Sequence, residues 1–511
     1  MALPDERPCG SSPQRPERED TGTGVGPGWL APPGRAVLTG SLRWSLAGQL
    51  GVRSLTFVTG IVLARLFTPG QFGEYAVALT ALAILLSLND VGISATLTRW
   101  PGDIRIVAPT AVTVTMVTSG LLTVLAWVVA GPYSRLFHAP GATQAVRVMT
   151  LLVLIDGIAG PANAFLSRDF RQRARVTSQI VGSLVGLPIT IALAKSYGAV
   201  AISTGQVIGG VTTTIICLVC SPYRPRPGWD FQAARDLLSS GAPVAAAAIM
   251  ATAVLNTDYV VVGSRLGPTQ LGVYVLAWQI SNWPSNLITA AVQPVASPAL
   301  ASLGQEPGRR AALFRRALEL LGIGTSLVVV PVAFAAPVII ETLYGVRWLA
   351  ASAPLTLLMA FAFCRVVTAF LGDAMLAAGH AGRLLLQQVF WLVALAPAAL
   401  LAASIDGIRG VALAQLLVCG LVVLPLSVQL SAPATALPRS ALLSVLGGVL
   451  IRAAPIAASG AVILFMTGAA LLPVLAISAG SFVILVLLSR SRLRLLLPAR
   501  GLREAGSESR A

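Results

Sequence analysis

Charged side chains are scarce in this sequence. Asp, Glu, Lys and Arg together make up 11% of the 511 residues, whereas a soluble domain carries about 25%. Hydrophobic residues account for 55% of the chain, and the mean hydropathy is +0.80. So few charges could not cover the surface of a folded chain of this length in water. The composition therefore excludes a soluble globular enzyme and a disordered protein.

Histidine, cysteine and lysine are almost missing as well. The two His and five Cys are scattered, and the C-x-x-C formed by Cys217 and Cys220 lacks the two further ligands that a zinc site needs. Lys195 is the only lysine and does not follow a glycine-rich loop, which excludes an ATP-binding P-loop. Neither G-x-S-x-G nor H-E-x-x-H occurs. We predict neither an enzyme nor a site for a metal or other cofactor.

Positive charge is nevertheless in excess, with 36 Lys+Arg against 20 Asp+Glu. In a soluble protein this excess would indicate nucleic-acid binding. Aromatic residues make up only 6% of the chain and do not interleave with a basic patch, as a nucleic-acid platform requires. The arginines lie instead in short loops between apolar blocks, which is typical of membrane topology. We predict no nucleic-acid partner.

Apolar blocks of about twenty residues, long enough to cross ~30 Å of hydrocarbon, follow one another along most of the chain. Their continuity does not match the ~10-residue alternation of an outer-membrane barrel. We predict an all-α polytopic membrane protein with about 14 transmembrane helices. The predicted spans are residues 44–66, 74–98, 106–130, 144–167, 176–195, 198–220, 238–264, 271–299, 317–343, 351–378, 384–404, 408–430, 441–467 and 469–489.

The two ends of the chain are predicted to be cytoplasmic tails. Residues 1–40 are rich in Pro, Gly, Ser and charge, which indicates disorder, and residues 490–511 are basic. In this orientation 26 of the 36 Lys and Arg fall in inside segments and 7 in outside loops. That bias agrees with the positive-inside rule and supports both the number of spans and their orientation.

A short sequence repeats after 199 residues. LFTPGQFGEYAVA (66–78) aligns with RLGPTQLGVYVLA (265–277), so that Pro69, Gly73 and Tyr75 match Pro268, Gly272 and Tyr274. Both copies form the outer turn after an odd-numbered span, and Pro and Gly are turn-forming residues. Because the shift corresponds to six spans, the two copies have the same orientation in the membrane.

The repeat predicts two parallel six-helix lobes. The N-lobe is residues 41–221 (spans one to six) and the C-lobe is residues 236–430 (spans seven to twelve), with spans thirteen and fourteen in residues 441–489. Parallel repeats related by an axis along the membrane normal are a transporter architecture. We therefore expect the substrate path to run between the lobes.

An ionisable group near the bilayer centre costs ~2.5–3.5 kcal/mol on insertion scales, so each one requires an explanation. Arg53 and Asp90 lie at similar predicted depths on the first two spans. Either they form a structural ion pair, or Arg53 faces the cavity and binds an anionic headgroup through bidentate hydrogen bonds. Arg365 and Asp373 pose the same two alternatives in the C-lobe.

Two further acids are candidates for a functional role. Asp258 follows Asn256 and Thr257 in the seventh span, and such grouped oxygens either bind Na⁺ or carry H⁺, or form helix–helix hydrogen bonds. Asp156 precedes a glycine- and proline-rich stretch that predicts a helix break. That break is either a hinge or a simple kink, and its residues are Gly157, Gly160 and Pro161.

Residues 61–99 (IVLARLFTPGQFGEYAVALTALAILLSLNDVGISATLTR) resemble the opening of the polysaccharide-biosynthesis flippases, with their L-A-R-x-L-x-P-x-x-F-G-x-Y turn and a following acid-x-G. Residues 258–300 resemble the counterpart at the start of the second lobe. These flippases belong to the multidrug/oligosaccharidyl-lipid/polysaccharide exporter superfamily. The resemblance is specific around the two hairpins and looser over the other spans up to the twelfth.

The resemblance implies alternating access and a substrate consisting of an oligosaccharide on a polyprenyl diphosphate. The substrate would move from the inner to the outer leaflet of the bacterial cytoplasmic membrane. Arg53 and Arg365 would bind the diphosphate with Asp90 nearby, and Asp258 with Asn256 would serve a coupling Na⁺ or H⁺. Expected partners are the lipid-linked oligosaccharide, membrane lipid, and a glycan polymerase or glycosyltransferases.

Two other functions stay open at this point. The first is a multidrug or organic-cation antiporter of the same superfamily, for which an acid-dominated cavity is expected. The second is a non-catalytic membrane scaffold for a glycan-assembly complex. Flipping of a labelled lipid-linked sugar in liposomes separates a transporter from a scaffold.

Overall fold

The computed structural model describes residues 35–448, with short gaps at residues 91–92, 94–95, 98–103, 170, 222–225, 303–306, 436, 439 and 446. Helices and short turns make up this part of the chain, and it contains no β-strand. The all-helical fold class predicted from the apolar blocks is confirmed.

Twelve long helices within the described residues correspond to the first twelve predicted spans. Two of the assigned helical runs contain a non-helical glycine and are divided there, α7/α8 at Gly267 and α11/α12 at Gly407. The bounds are α1 Arg35–Leu66, α2 Pro69–Asp90, α3 Ile104–Leu136, α4 Ala142–Arg168, α5 Gln172–Tyr197, α6 Ala199–Cys220, α7 and α8 within Phe231–Ser302, α9 Pro307–Ile339, α10 Ser352–Ala377, α11 within Ala381–Val418, and α12 from residue 408 through the π-helical segment Cys419–Val423 to Thr435.

The predicted count of about fourteen spans stays a prediction at its C-terminal end. The thirteenth predicted span begins in described helical residues, 440–445 and 447–448, and the fourteenth lies outside the described residues. By length and apolar composition, eight helical runs among the described residues qualify as membrane spans, including 106–136, 142–167 and 346–377. The chain is therefore a multi-pass membrane protein.

The sixth and twelfth helices begin with the same glycine turn. Gly198 precedes α6 with φ 50°, and Gly407 precedes α12 with φ 55°. This left-handed conformation is open to glycine at little cost, so the chain reverses tightly between α5 and α6 and again between α11 and α12. The equivalence of these turns extends the internal repeat to the far end of each lobe.

Small residues bring α5 and α6 together. A Cβ on Gly186 would overlap the carbonyl oxygen of Gly205, and a Cβ on Gly209 would lie 2.7 Å from the carbonyl oxygen of Gly182. Both helices therefore carry a G-x-x-x-G pair in their shared face, which lets helix backbones approach closely in a membrane.

The third helix carries an apolar stripe that no other described element covers. Val117, Leu121, Val124 and Val128 recur at three- or four-residue intervals, and each is 64–73% exposed. This spacing places them on one face of the helix. An exposed apolar face of this length fits contact with lipid.

The two lobes meet mainly where α2 packs against the 231–302 helical run. Within each lobe the other helices pack on one another, for example α3 on α4 and α9 on α10. A large buried core extends across both lobes and includes Phe67, Tyr75, Tyr274 and Trp348. This arrangement places the repeated turns at the centre of the contact between the lobes.

Candidate functional site

The repeated turns bind each other. A Cβ on Gly73 would overlap the carbonyl group of Pro268, and a Cβ on Gly272 would overlap the carbonyl oxygen of Pro69 and lie 2.8 Å from the backbone nitrogen of Gly73. Residues at equivalent positions of the repeat thus make reciprocal contacts. The lobes are closed against each other on the predicted outer side.

A second set of contacts seals the same side. The Arg65 side chain at the end of α1 donates to the carbonyl oxygens of Leu343, at 2.8 Å, and of Thr342. The indole nitrogen of Trp348 donates to the carbonyl oxygen of Ala64 at 2.9 Å. Both bonds join the N-lobe to the turn before α10, so the outer end of α1 is held by the C-lobe.

The same helix places Arg53 on the face between the lobes. Phe57 packs against Trp283 of α8 with ring centroids 4.1 Å apart. Arg53 precedes Phe57 by four residues, so it lies one turn further inward on the same helix face. It is half-buried and has no hydrogen-bond or ion-pair partner among the described residues. The side chain of Asp90, its predicted partner, lies outside the described residues.

Arg365 lines a cavity inside the C-lobe. The cavity has a volume of about 350 Å³ and lies between α7, α10 and α11. Arg365 and Asp373 both line it, separated by about 12 Å along α10 at 1.5 Å per residue. The guanidinium carbon of Arg365 lies 5.8 Å from the ring centroid of Trp278, a cation–π distance. Both charged residues therefore line the same cavity, and a role for Arg365 in substrate binding stays a prediction.

Asp258 is fully buried beside Arg365. Its Oδ2 accepts a hydrogen bond from the Tyr274 hydroxyl at 2.9 Å, its Oδ1 accepts one from the backbone nitrogen of Tyr259 at 3.0 Å, and the Gln415 side chain is a further hydrogen-bonding neighbour. The carboxylate therefore links α7, α8 and α12. Asn256 is not brought into this group, because its side-chain nitrogen donates to the Thr252 carbonyl oxygen at 2.8 Å.

The N-lobe has an equivalent polar contact that the sequence analysis missed. Tyr75, the counterpart of Tyr274, accepts a hydrogen bond from the side chain of Gln206. Gln206 and Gln415 each lie eight residues after the positive-φ glycine that begins their helix. A 209-residue shift between these glycines would have identified the pair from the sequence.

A second cavity occupies the equivalent place in the N-lobe. It measures about 360 Å³ and lies between α1, α4, α5 and α6. Val52 and Thr56 line it, and the 199-residue shift carries them onto Ala251 and Leu255, which line the C-lobe cavity. The N-lobe cavity has no charged residue in its described lining. The two lobes therefore contain related cavities that differ in charge.

The predicted hinge lies within an uninterrupted helix. Helix α4 continues from Ala142 to Arg168 with Pro161 inside it. Gly157 packs closely on α3, where its carbonyl oxygen accepts a hydrogen bond from the Thr115 hydroxyl at 2.9 Å. The structure thus shows a close-packing role for Gly157, and a hinge at Gly157, Gly160 and Pro161 stays a prediction.

A family described as polysaccharide biosynthesis protein matches residues 62–353, more than half of the chain. The chain belongs to this family. The match begins in α1 and includes both copies of the repeated turn, so the family predicted from the two hairpins is confirmed.

Curated polysaccharide biosynthesis proteins are similar along much of their length. The succinoglycan biosynthesis transport protein ExoT of Rhizobium meliloti is 24% identical over 61% of this chain and 63% of its own length. The amylovoran biosynthesis protein AmsL of Erwinia amylovora is 23% identical over 50% of this chain and 66% of its own. The lipopolysaccharide biosynthesis protein WzxC of Escherichia coli is 21% identical over 74% and 77%. The chain thus spans slightly under two thirds of the length of ExoT and AmsL.

Solved transporter structures share the fold. The lipid II flippase MurJ in an inward closed conformation has a TM-score of 0.70, with 13% identity, and the alignment covers 88% of this chain and 99% of MurJ. An inward-facing multidrug resistance MATE family transporter of the MOP superfamily has a TM-score of 0.60, with 15% identity, over 76% and 98% of the two chains. The predicted superfamily fold is confirmed.

Proposed function

We propose that this protein is a flippase that moves a polyprenyl-diphosphate-linked oligosaccharide from the inner to the outer leaflet of the bacterial cytoplasmic membrane. The observation that carries the proposal is the contact between the lobes on the predicted outer side. Reciprocal contacts between the Gly73 and Gly272 turns seal the predicted outer side, while Arg53 lies on the inter-lobe face further inward. Such a chain binds substrate from the inside and releases it outside when the outer contact opens.

The names of similar proteins support this substrate class. ExoT is a succinoglycan biosynthesis transport protein, WzxC takes part in lipopolysaccharide biosynthesis, and MurJ, which shares the fold, is a lipid II flippase. Transport and not catalysis is the proposed activity. Both termini are proposed to face the cytoplasm, and a glycan polymerase or glycosyltransferases are proposed assembly partners.

Arg53 and Arg365 are proposed to bind the diphosphate. A guanidinium group forms bidentate, charge-assisted hydrogen bonds with phosphate oxygens. Arg53 lies where a substrate between the lobes would pass, and Arg365 lines the C-lobe cavity. The cation–π contact with Trp278 positions the Arg365 guanidinium without occupying its in-plane N–H donors. The prenyl chain stays in the lipid throughout.

Asp258 is proposed to couple transport to a Na⁺ or H⁺ gradient. Its carboxylate joins α7 to Tyr274 on α8 and Gln415 on α12, so a change in its charge would alter contacts among three helices. A buried acid of this kind within a membrane protein is a default candidate for ion transfer.

A cation antiporter is the second candidate, favoured by the fold shared with the MATE transporter and by the acid Asp373 in the C-lobe cavity. Arg365 in the same cavity argues against it, since a buried guanidinium repels an organic cation. The flippase is therefore the function that the cavity supports better.

Reconstitution in liposomes tests the proposal. Purified protein is expected to move a fluorescent polyprenyl-diphosphate oligosaccharide across the bilayer, measured by the fraction that a membrane-impermeant quencher reaches. An Arg53→Ala Arg365→Ala variant that folds normally is the matched control and is expected to be inactive. Wild-type protein that moves an organic cation and no lipid-linked sugar would identify the antiporter, and protein that moves neither would identify the scaffold.

A further inference from the structure

Among the described residues, two buried polar atoms on the same face of α11 have no hydrogen-bond partner. They are Oε1 of Gln387 and Nε1 of Trp391, and the two residues are only 2% and 5% exposed. A buried donor or acceptor that forms no hydrogen bond costs ~1–3 kcal/mol. Such atoms in a folded protein therefore require a partner, and the protein itself supplies none among the described residues.

Both side chains line the cavity that contains Arg365. Gln387 and Trp391 are four residues apart on α11, which places them one turn apart on the same helix face. One of the free atoms accepts a hydrogen bond and the other donates one. The cavity volume of about 350 Å³ lies within the usual range for small-molecule sites.

The equivalent N-lobe cavity lacks this feature. Two of its lining hydroxyl groups bond within the protein: Thr56 donates to the Val52 carbonyl oxygen at 2.9 Å, and Thr190 donates to that of Gly186 at 3.1 Å. No buried side-chain nitrogen or oxygen among its described lining residues is without a partner. Unpartnered groups are thus not a general property of these lobe cavities.

We infer that Gln387 and Trp391 bind the sugar ring that is bonded directly to the diphosphate. A sugar hydroxyl both donates and accepts, so neighbouring hydroxyls satisfy the Gln387 oxygen and the Trp391 nitrogen together. The inference rests on the proposed function, in which Arg365 binds phosphate in the same cavity. A group held next to that phosphate is the first sugar, and these two residues therefore determine which first sugar is accepted.

Binding measurements with two ligands test the inference separately from the proposed function. The ligands are polyprenyl diphosphate alone and the same lipid bearing one hexose, and their dissociation constants are measured with full-length protein in nanodiscs. Trp391→Phe keeps an aromatic side chain but removes the indole N–H together with the pyrrole ring, and Gln387→Leu removes the amide. Each is expected to weaken binding of the sugar-bearing lipid about threefold to tenfold, the effect of one hydrogen bond, without changing binding of the bare lipid.

Matched variants define the other outcomes. Gln179→Leu, in the N-lobe cavity, is expected to change neither constant, and Arg365→Ala is expected to weaken both. If wild-type protein binds the two lipids equally, or if Trp391→Phe and Gln387→Leu leave the preference for the sugar intact, water fills the site and the inference is wrong. If wild-type protein binds neither lipid, the proposed function itself fails. Thermal unfolding of each variant identifies any that is misfolded, and Gln387→Met, which also lacks the amide and is neutral, then replaces Gln387→Leu.

Discussion

Gly73 and Gly272 occupy the same position of the internal repeat, and each leaves room for the carbonyl group of the proline in the other copy. Gly73 faces Pro268 and Gly272 faces Pro69. Any side chain larger than hydrogen at either position would push the two turns apart. The closed outer side of the protein therefore depends on the absence of two methyl groups.

Gly73→Ala and Gly272→Ala are expected to shift the protein toward a state that is open on the outer side. Overpacking costs ~1–3 kcal/mol, which acts only on the closed state. A cysteine placed in α8 and probed with an impermeant thiol reagent is expected to react about tenfold faster in either variant. Gly131→Ala is the control, because a Cβ there meets nothing within 4 Å, and an equal increase in this control would refute the expectation.

Arg65→Ala is expected to weaken the same closure from the end of α1. The variant loses the bonds to the carbonyl oxygens of Thr342 and Leu343, and because Arg65 is exposed the effect is about 1 kcal/mol. Trp348→Phe, which loses the bond to Ala64, is expected to act in the same direction. The measurement is again the rate at which a cysteine in α8 reacts with the impermeant thiol reagent. Arg347→Ala is the neighbouring control, and a rate that rises in this control as much as in Arg65→Ala would show that loss of positive charge, and not loss of the two hydrogen bonds, opens the outer side.

Arg53→Ala and Arg365→Ala are each expected to abolish surface polysaccharide in a strain that depends on this protein, with protein levels unchanged. The reason is loss of the proposed bidentate phosphate contact. Arg316→Ala provides the control, since Arg316 is an exposed cation on α9 outside both cavities. Surface polysaccharide at wild-type levels in both variants would contradict the diphosphate role.

Asp258→Asn is expected to leave the fold intact and to remove the dependence of flipping on a Na⁺ or H⁺ gradient. The new amide still offers an oxygen to the Tyr274 hydroxyl but cannot change its charge. Asp258→Ala, by contrast, leaves that buried hydroxyl without a partner and is expected to lower the free energy of unfolding by ~1–3 kcal/mol. Asp406→Asn, an exposed acid, is the control in both assays, and gradient-dependent flipping by Asp258→Asn would exclude the coupling role.

The sequence allowed the helices and the repeat to be predicted, because both depend on local patterns. Apolar blocks of membrane length located the first twelve helices, and the match of Pro69 and Gly73 with Pro268 and Gly272 located the repeated turns. What a turn contacts is a tertiary property. The sequence therefore predicted the two turns but not the packing of one turn against the other.

The candidate site was predictable only in part, for the same reason. A charge in an apolar block is visible in the sequence, so Arg53, Arg365 and Asp258 were identified. Neutral polar residues carry no such signal, since many serve helix packing, and Gln387 and Trp391 were missed. Asn256 was grouped with Asp258 because the two are close in sequence, but residues two apart lie on different faces of a helix.

A surface that binds its own repeat is self-complementary, as in a two-fold symmetric dimer. A six-helix chain carrying one copy of the Pro69–Gly73 turn would already possess both halves of that contact. Two such chains could pair through it before any fusion joined them. Fusion would then free each half to change by itself, which is how one lobe can keep an uncharged cavity while the other acquires an arginine.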